Sequence, residues 1–239
     1  MVLFGVTVLQ ASLTNEYLRY VKPGMRPLLI GAGLMLAVTG VMTLWYQRRR
    51  DPSHVDASKR RATKHRRQDT HAHSHEPRVA WLLLLPVVGL AVVAPQALGA
   101  DAAQRAGTAV LNAPSDFDPL PDGDPVAISL TDYVSRAVFD EGRSLQDRRV
   151  RMTGFMMFGD DHAMYLARII VTCCAADGRP IKIGLTGSLP DGLTADTWVS
   201  VTGTYNATTV TDPVNGAVIP FVETSDVEVV EQPDSPYQA

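Results

Sequence analysis

"PLLIGAGLMLAVTGVMTLWYQRRR", residues 27–50, separates parts of this chain that live in different surroundings. Its first twenty residues, Pro27 to Tyr46, carry no charge. At about 1.5 Å of rise per residue they match a hydrocarbon core about 30 Å thick. Trp45 and Tyr46 stand where an aromatic belt falls, and Arg48, Arg49 and Arg50 form a cationic stop. The stretch predicts a membrane-spanning helix over 27–46.

Toward the N-terminus, "MVLFGVTVLQASLTNEYLRY" is apolar for only about thirteen residues before Asn15 and Glu16. It predicts a short span over 2–18, with an interfacial helix as the alternative, so residues 1–46 form an N-terminal membrane region. Toward the C-terminus, residues 47–78 hold ten Lys/Arg against four Asp/Glu, which assigns this loop to the cytoplasm. It lacks apolar periodicity and reads as a basic tether against the anionic lipid bilayer. "HAHSH" places His71, His73 and His75 at alternate positions, a weak metal-binding cluster that no cysteine or dense carboxylate set completes. Val79 to Ala100 is a second long apolar run, predicting a transmembrane helix over 79–100. Its "ALGA" resembles a signal-cleavage site, but an internal position after an earlier span argues against that reading. The expectation is a multi-pass cell-membrane protein whose residues after Ala100 are extracytoplasmic.

Residues 101–239 carry nine Lys/Arg against twenty Asp/Glu, a net charge of −11. That balance opposes nucleic-acid binding, which needs a cationic track. Residues 101–125 read as a linker ending "DFDPLPDGDP". "SLTDYVSRAVFDEG" then places Leu130, Tyr133, Val134, Ala137 and Val138 on one helical face, with Ser129 or Thr131 as cap and Gly142 as stop. Five or six short strand-like runs follow, and the phrase Val-x-Met/Val-Thr-Gly occurs in "VRMTG" and "VSVTG". Glycines inside strands, Gly154 and Gly203, favour a curled sheet. The prediction for 126–233 is an all-β, OB-like small barrel, with a β-sandwich as the alternative, and 234–239 as a tail.

"YVKPGMRPLLIGAGLMLAVTG", the histidine-rich loop and above all "ARIIVTCCAADGRPIKIGL" resemble the bacterial YcgQ-like membrane proteins over essentially the whole chain. The resemblance implies an accessory, substrate-binding subunit of a permease complex, with a permease of the YcgR/YraQ type as its membrane partner. A stand-alone envelope metal-binding or sensor protein is the alternative.

Cys173 and Cys174 are the chain's two cysteines. Adjacent strand residues point to opposite faces, so the pair shares one pocket only where the strand ends, and "AADGRP" marks that end. Three readings stand: inert packing or a strained vicinal disulfide, a metal site, or thiol exchange. The metal reading takes Cys173 and Cys174 as thiolates completed by Asp177 and His162, a soft ligand set suited to zinc or copper. Asp177 also reads as an Asx-turn residue before Gly178, and Arg168, in an apolar strand, calls for a carboxylate partner. No motif of a nucleophile elbow, phosphate-cradling loop or His-Glu helix occurs, so the chain is not expected to be an enzyme.

Overall fold

The computed structural model describes residues 2–50, 97–145, 148–160 and 163–238. Most of the basic loop, with His71, His73 and His75, lies outside the described residues, as do His162 and the second apolar run up to residue 96. The chain forms two compact units, Met1–Glu16 with Met25–Gln96, and Tyr17–Gly24 with Ala97–Ala239.

In the first unit, α1 (Val2–Leu13) and α2 (Arg26–Arg50) form a helix pair. Among the described residues, Pro23–Tyr46 is the stretch long and apolar enough to cross a membrane, with mean hydropathy 2.0. The twelve residues of α1 extend about 18 Å, less than the hydrocarbon thickness, so the segment read as a span over 2–18 is a shorter helix. A 3-10 turn, Asn15–Arg19, follows it. Glycine lets the two helices approach closely: a Cβ on Gly5 would lie 2.7 Å from the Ala37 nitrogen and 2.9 Å from the Gly33 oxygen. Arg26 closes the end of α1 by donating from Nε to the Ser12 carbonyl at 3.0 Å and from Nη2 to that of Leu13 at 3.4 Å.

In the second unit, α3 (Ala100–Arg105) and β1 (Val126–Ala127) precede α4 (Leu130–Phe139). The cap of α4 is Ser129, whose Oγ accepts from the Asp132 amide at 3.0 Å; the Thr131 hydroxyl instead donates to Gln238. Gly142, with φ of 73°, ends this segment and donates its N–H to the Arg136 carbonyl. Five strands form the barrel: β2 (Val150–Phe158), β3 (Met164–Ile170), β4 (Arg179–Gly187), β5 (Trp198–Thr211) and β6 (Val218–Val229). They run β2-β5-β6-β4-β3 around a ring that closes by pairing β3 with β2. The β4–β6 pair is parallel, and the other barrel pairs are antiparallel. Two short strands extend the sheet, β1 beside β2 and β7 (Tyr237–Gln238) beside β3.

The two Thr-Gly phrases face each other. Val150 pairs with Gly203, Met152 with Val201 and Gly154 with Val199. Gly203 lies at a register shift between β5 and β6, a bulge that tightens the curl. Inside the barrel lie Val150, Met152, Met156, Leu166, Ile181, Ile183, Val199, Val201 and Val222, and Leu130 and Tyr133 of α4 join this core. The buried Tyr133 hydroxyl donates to the Phe221 carbonyl at 2.6 Å, which ties α4 to β6.

A second apolar cluster covers the outer face of β2 and β3. Ala100 and Ala103 of α3 meet Phe155, Met157, Ala167, Ile169 and Tyr237 there. The segment read as a linker from residue 101 therefore begins as a packed helix, and the segment read as a tail contains β7. Arg168 also departs from expectation. In place of a carboxylate, its guanidinium donates to the carbonyls of Thr153, Ser235 and Pro236 and lies over the Trp198 ring.

Lys182 occupies an outward position of β4 yet is 3% exposed, because residues 106–109 pass over it. Its ammonium donates to Asp212 Oδ2 at 2.9 Å and to the Ala106 carbonyl at 2.8 Å. Asp212, 1% exposed, also accepts from the amides of Thr108 and Val214. Burial pushes the Asp212 carboxyl up, but the bonds from Lys182, Val214 and Thr108 outweigh it and hold the group below the ordinary carboxylate range. A depressed folded-state pKa contributes stability above that range and loses it as the pH falls through it. Asp212→Ala strands a buried ammonium and is expected to cost about 3–5 kcal/mol, whereas the joint change Lys182→Met with Asp212→Leu costs far less. Hydrogen exchange of the β4 and β6 amides, at pH 7 and again near pH 3, reads both effects.

Candidate functional site

Strand β3 ends at Ile170, and residues 171–178 connect it to β4 through a 3-10 turn, Ala175–Asp177. Cys173 and Cys174 thus sit beyond the strand, where the alternation of faces no longer applies, and their Sγ atoms lie 3.7 Å apart. Cys173 is exposed and Cys174 is half-buried. Both thiols are free.

Asp177 organises the loop by reaching back toward residues 172–174. Its Oδ1 accepts from the Thr172 amide at 2.9 Å, and its Oδ2 accepts from the Cys173 amide at 2.8 Å and the Cys173 thiol at 3.0 Å. The Cys174 amide points to the same oxygen at 3.5 Å. This replaces the forward Asx-turn read from the sequence. Gly178 has φ of −58°, so no left-handed backbone requires it. Its value lies in close packing: a Cβ there would meet Leu98 Cδ1 at 2.9 Å and Ile169 Cγ2 at 3.0 Å.

The electrostatics follow from this arrangement. The Asp177 carboxylate beside the sulfur pushes the Cys173 thiol up to about 11, with the neighbouring Cys174 thiol adding to the effect. The Cys173 thiol and the Thr172 and Cys173 amides hold Asp177 down at about 2. Near neutral pH the loop therefore presents a protonated Cys173 thiol beside an ionised carboxylate.

One ligand atom from each of Cys173, Cys174 and Asp177 falls within 4.8 Å of the others, so these three side chains can hold one ion. His162, the fourth expected ligand, lies outside the described residues, as do His71, His73 and His75.

Two segments distant in sequence meet this loop, and the sequence alone did not point to either. Residues 20–22 form a backbone ladder with it. The Lys22 amide donates to the Cys173 carbonyl at 3.1 Å, the Ala175 amide donates to that of Tyr20 at 2.6 Å, and Val21 bridges Cys174 in antiparallel fashion. Tyr237 of β7 donates its hydroxyl to the Arg19 carbonyl at 2.9 Å and accepts from the Leu98 amide at 3.0 Å. The signals that could have found them are modest: a β-forming Tyr-Val between two helices, and an isolated tyrosine near the end of the chain.

Fold and site together define a closed small β-barrel domain, accompanied in the chain by an apolar N-terminal helix, that carries a solvent-facing Cys-Cys-Asp cluster. Residues 130–238, from α4 through β7, match the DUF1980 C-terminal domain. No curated protein and no solved structure matches the chain.

The carboxylate's hold on Cys173 is directly measurable. In a Cys174→Ser background, Asp177→Asn removes the anion that disfavours the Cys173 thiolate. Iodoacetamide should then modify Cys173 at pH 8 at least severalfold faster, because only the thiolate attacks. An unchanged rate would show that Asp177 does not set this thiol's titration.

Proposed function

We propose that this chain is a membrane-anchored accessory subunit of a permease complex whose OB-like barrel offers an exchangeable site for a thiophilic metal ion at Cys173, Cys174 and Asp177. The observation that carries the reading is the convergence of two sulfurs and one carboxylate oxygen on one solvent-facing loop. Thiolate ligands bind zinc at about 2.3 Å, so two corners of a tetrahedron lie about 3.8 Å apart. The observed 3.7 Å between the Sγ atoms matches that edge. A linear two-thiolate ion would require the sulfurs on opposite sides of it and so farther apart, which favours zinc over two-coordinate copper(I). Among the described residues three side chains supply ligands; a zinc site with three protein ligands keeps an open position, whereas structural zinc sites close with four.

The strand order β2-β5-β6-β4-β3 with a parallel β4–β6 pair supports the OB-like reading of the barrel. Membrane placement has support as well. Residues 17–24 bond to the barrel and lead into the start of α2, while the arginine-rich stop lies at its end. The proposed placement, a cytoplasmic basic loop and an extracytoplasmic barrel, rests on the positive-inside rule. The permease role, with a YcgR/YraQ-type partner, rests on the YcgQ-like resemblance of the Cys-Cys-Ala-Ala-Asp segment and its surroundings.

The test uses the full chain in mild detergent, purified from cells that also contain its membrane partners. About one equivalent of zinc is expected by elemental analysis after equilibrium dialysis. Binding should be lost in Cys173→Ser with Cys174→Ser and weakened about tenfold or more in Asp177→Ala. A polytopic protein retained on the column supports the permease subunit, and zinc binding by the chain alone supports the stand-alone sensor. Absence of zinc binding would remove the metal reading.

A further inference from the structure

We infer that the metal site is coupled to the α1–α2 connection: residues 19–22, clasped by Tyr237, hold the back of the cysteine loop and move in concert with ion binding. This rests on the metal reading of Cys173, Cys174 and Asp177 given above.

The coupling lies in a single peptide group. The peptide joining Cys173 to Cys174 directs its N–H toward Asp177 Oδ2 at 3.5 Å, and its carbonyl accepts from the Lys22 amide at 3.1 Å. One edge therefore faces the candidate ligands, and the other is bonded to the segment that leads into α2. The next peptide repeats the theme, because the Ala175 amide donates to the Tyr20 carbonyl at 2.6 Å. Gathering two sulfurs and Asp177 around one ion fixes the side-chain torsions of Cys173 and Cys174 and redirects an oxygen that now accepts from the Cys173 amide. Each change tilts the peptide planes of residues 173–175, whose opposite edges carry the bonds to residues 20 and 22.

Tyr237 makes the arrangement a clasp. Its one hydroxyl donates to the Arg19 carbonyl and accepts from the Leu98 amide. Those two residues belong to the α1–α2 connection and to the end of the second apolar run. Burial pushes the Tyr237 phenol up, so it remains a donor at neutral pH. Its neighbour Gln238 accepts the Val171 amide at the start of the cysteine loop. By reciprocity, if the clasped segment favours the ion-holding loop, the ion favours the clasped segment by the same factor.

The test uses the full chain in detergent, zinc as the probe, and three forms: unmodified, Tyr237→Phe and Lys22→Pro. Tyr237→Phe removes the clasp hydroxyl, and Lys22→Pro removes the amide donor to Cys173. In the unmodified chain zinc should slow hydrogen exchange of the Lys22 and Ala175 amides at least threefold. Each variant should weaken zinc binding about three- to tenfold while β4 and β6 amides keep their protection, the mark of an intact barrel. Unchanged or tighter zinc binding in both variants, with Lys22 and Ala175 exchange insensitive to zinc, overturns the coupling and leaves the metal site standing. Failure of the unmodified chain to bind zinc overturns the site and the coupling together.

Discussion

Closure of the barrel depends on a close backbone approach at Gly154. Strand β2 pairs with β5 from Val150 to Phe155 and with β3 from Phe155 to Phe158, so a single residue is shared between the two ladders. A Cβ on Gly154 would stand 2.6 Å from the Ala167 carbonyl oxygen on β3, which no side chain tolerates without displacing that strand. Where β3 lies determines where the cysteine loop begins, because that loop follows Ile170 directly. The site therefore inherits its position from a glycine in the barrel wall.

Two aspartates show how burial divides labour between structure and chemistry. Asp212 is buried, is bonded by Lys182 and two amides, and holds residues 106–109 across the outer face of β4. With its acceptors filled from within the fold, it serves to fix a segment. Among the described residues, Asp177 bonds within its own loop, beside an exposed thiol, where solvent and ions reach it. The same functional group thus acts as a pin in one place and as a candidate ligand in the other.

Local pattern explains what the sequence revealed and nonlocal packing explains what it hid. The α2 helix, the Ser129 cap, the Gly142 stop and the curl at Gly203 each follow from a few neighbouring residues, and the structure has them. The sequence placed the end of this strand at "AADGRP", just after the cysteines, and the structure ends β3 earlier, at Ile170, which leaves both sulfurs in the loop. By contrast, α3 has only six residues, too few for an amphipathic period, so it read as linker. Lys182 stands between Ile181 and Ile183, the place of the polar member in an alternating strand, and nothing nearby in sequence announces that residues 106–109 cover it. Arg168 was expected to need a carboxylate, yet the carbonyls of Thr153, Ser235 and Pro236 accept from it instead. The ladder of residues 20–22 and the Tyr237 clasp join positions at least 139 residues apart, which no local pattern encodes.

The placement of Asp177 also resolves a tension in the proposed setting. Outside the cytoplasm, oxidation threatens a free dithiol, and the species that reacts is the thiolate. By disfavouring the Cys173 thiolate, the adjacent carboxylate keeps that sulfur protonated and slow to oxidise near neutral pH. A cation between the groups reverses the sign of the interaction: the charge that repels a bare thiolate attracts the metal that the thiolate would bind. One carboxylate can therefore guard the Cys173 sulfur in the absence of an ion and help to hold the ion once it arrives. This dual role requires the carboxylate to lie near the sulfurs rather than deep in the fold: Oδ2 is 3.0 Å from Cys173 Sγ, and one ligand atom from each of the three side chains lies within 4.8 Å of the others. The back-reaching geometry of Asp177, fixed by the amides of Thr172 and Cys173, supplies that proximity.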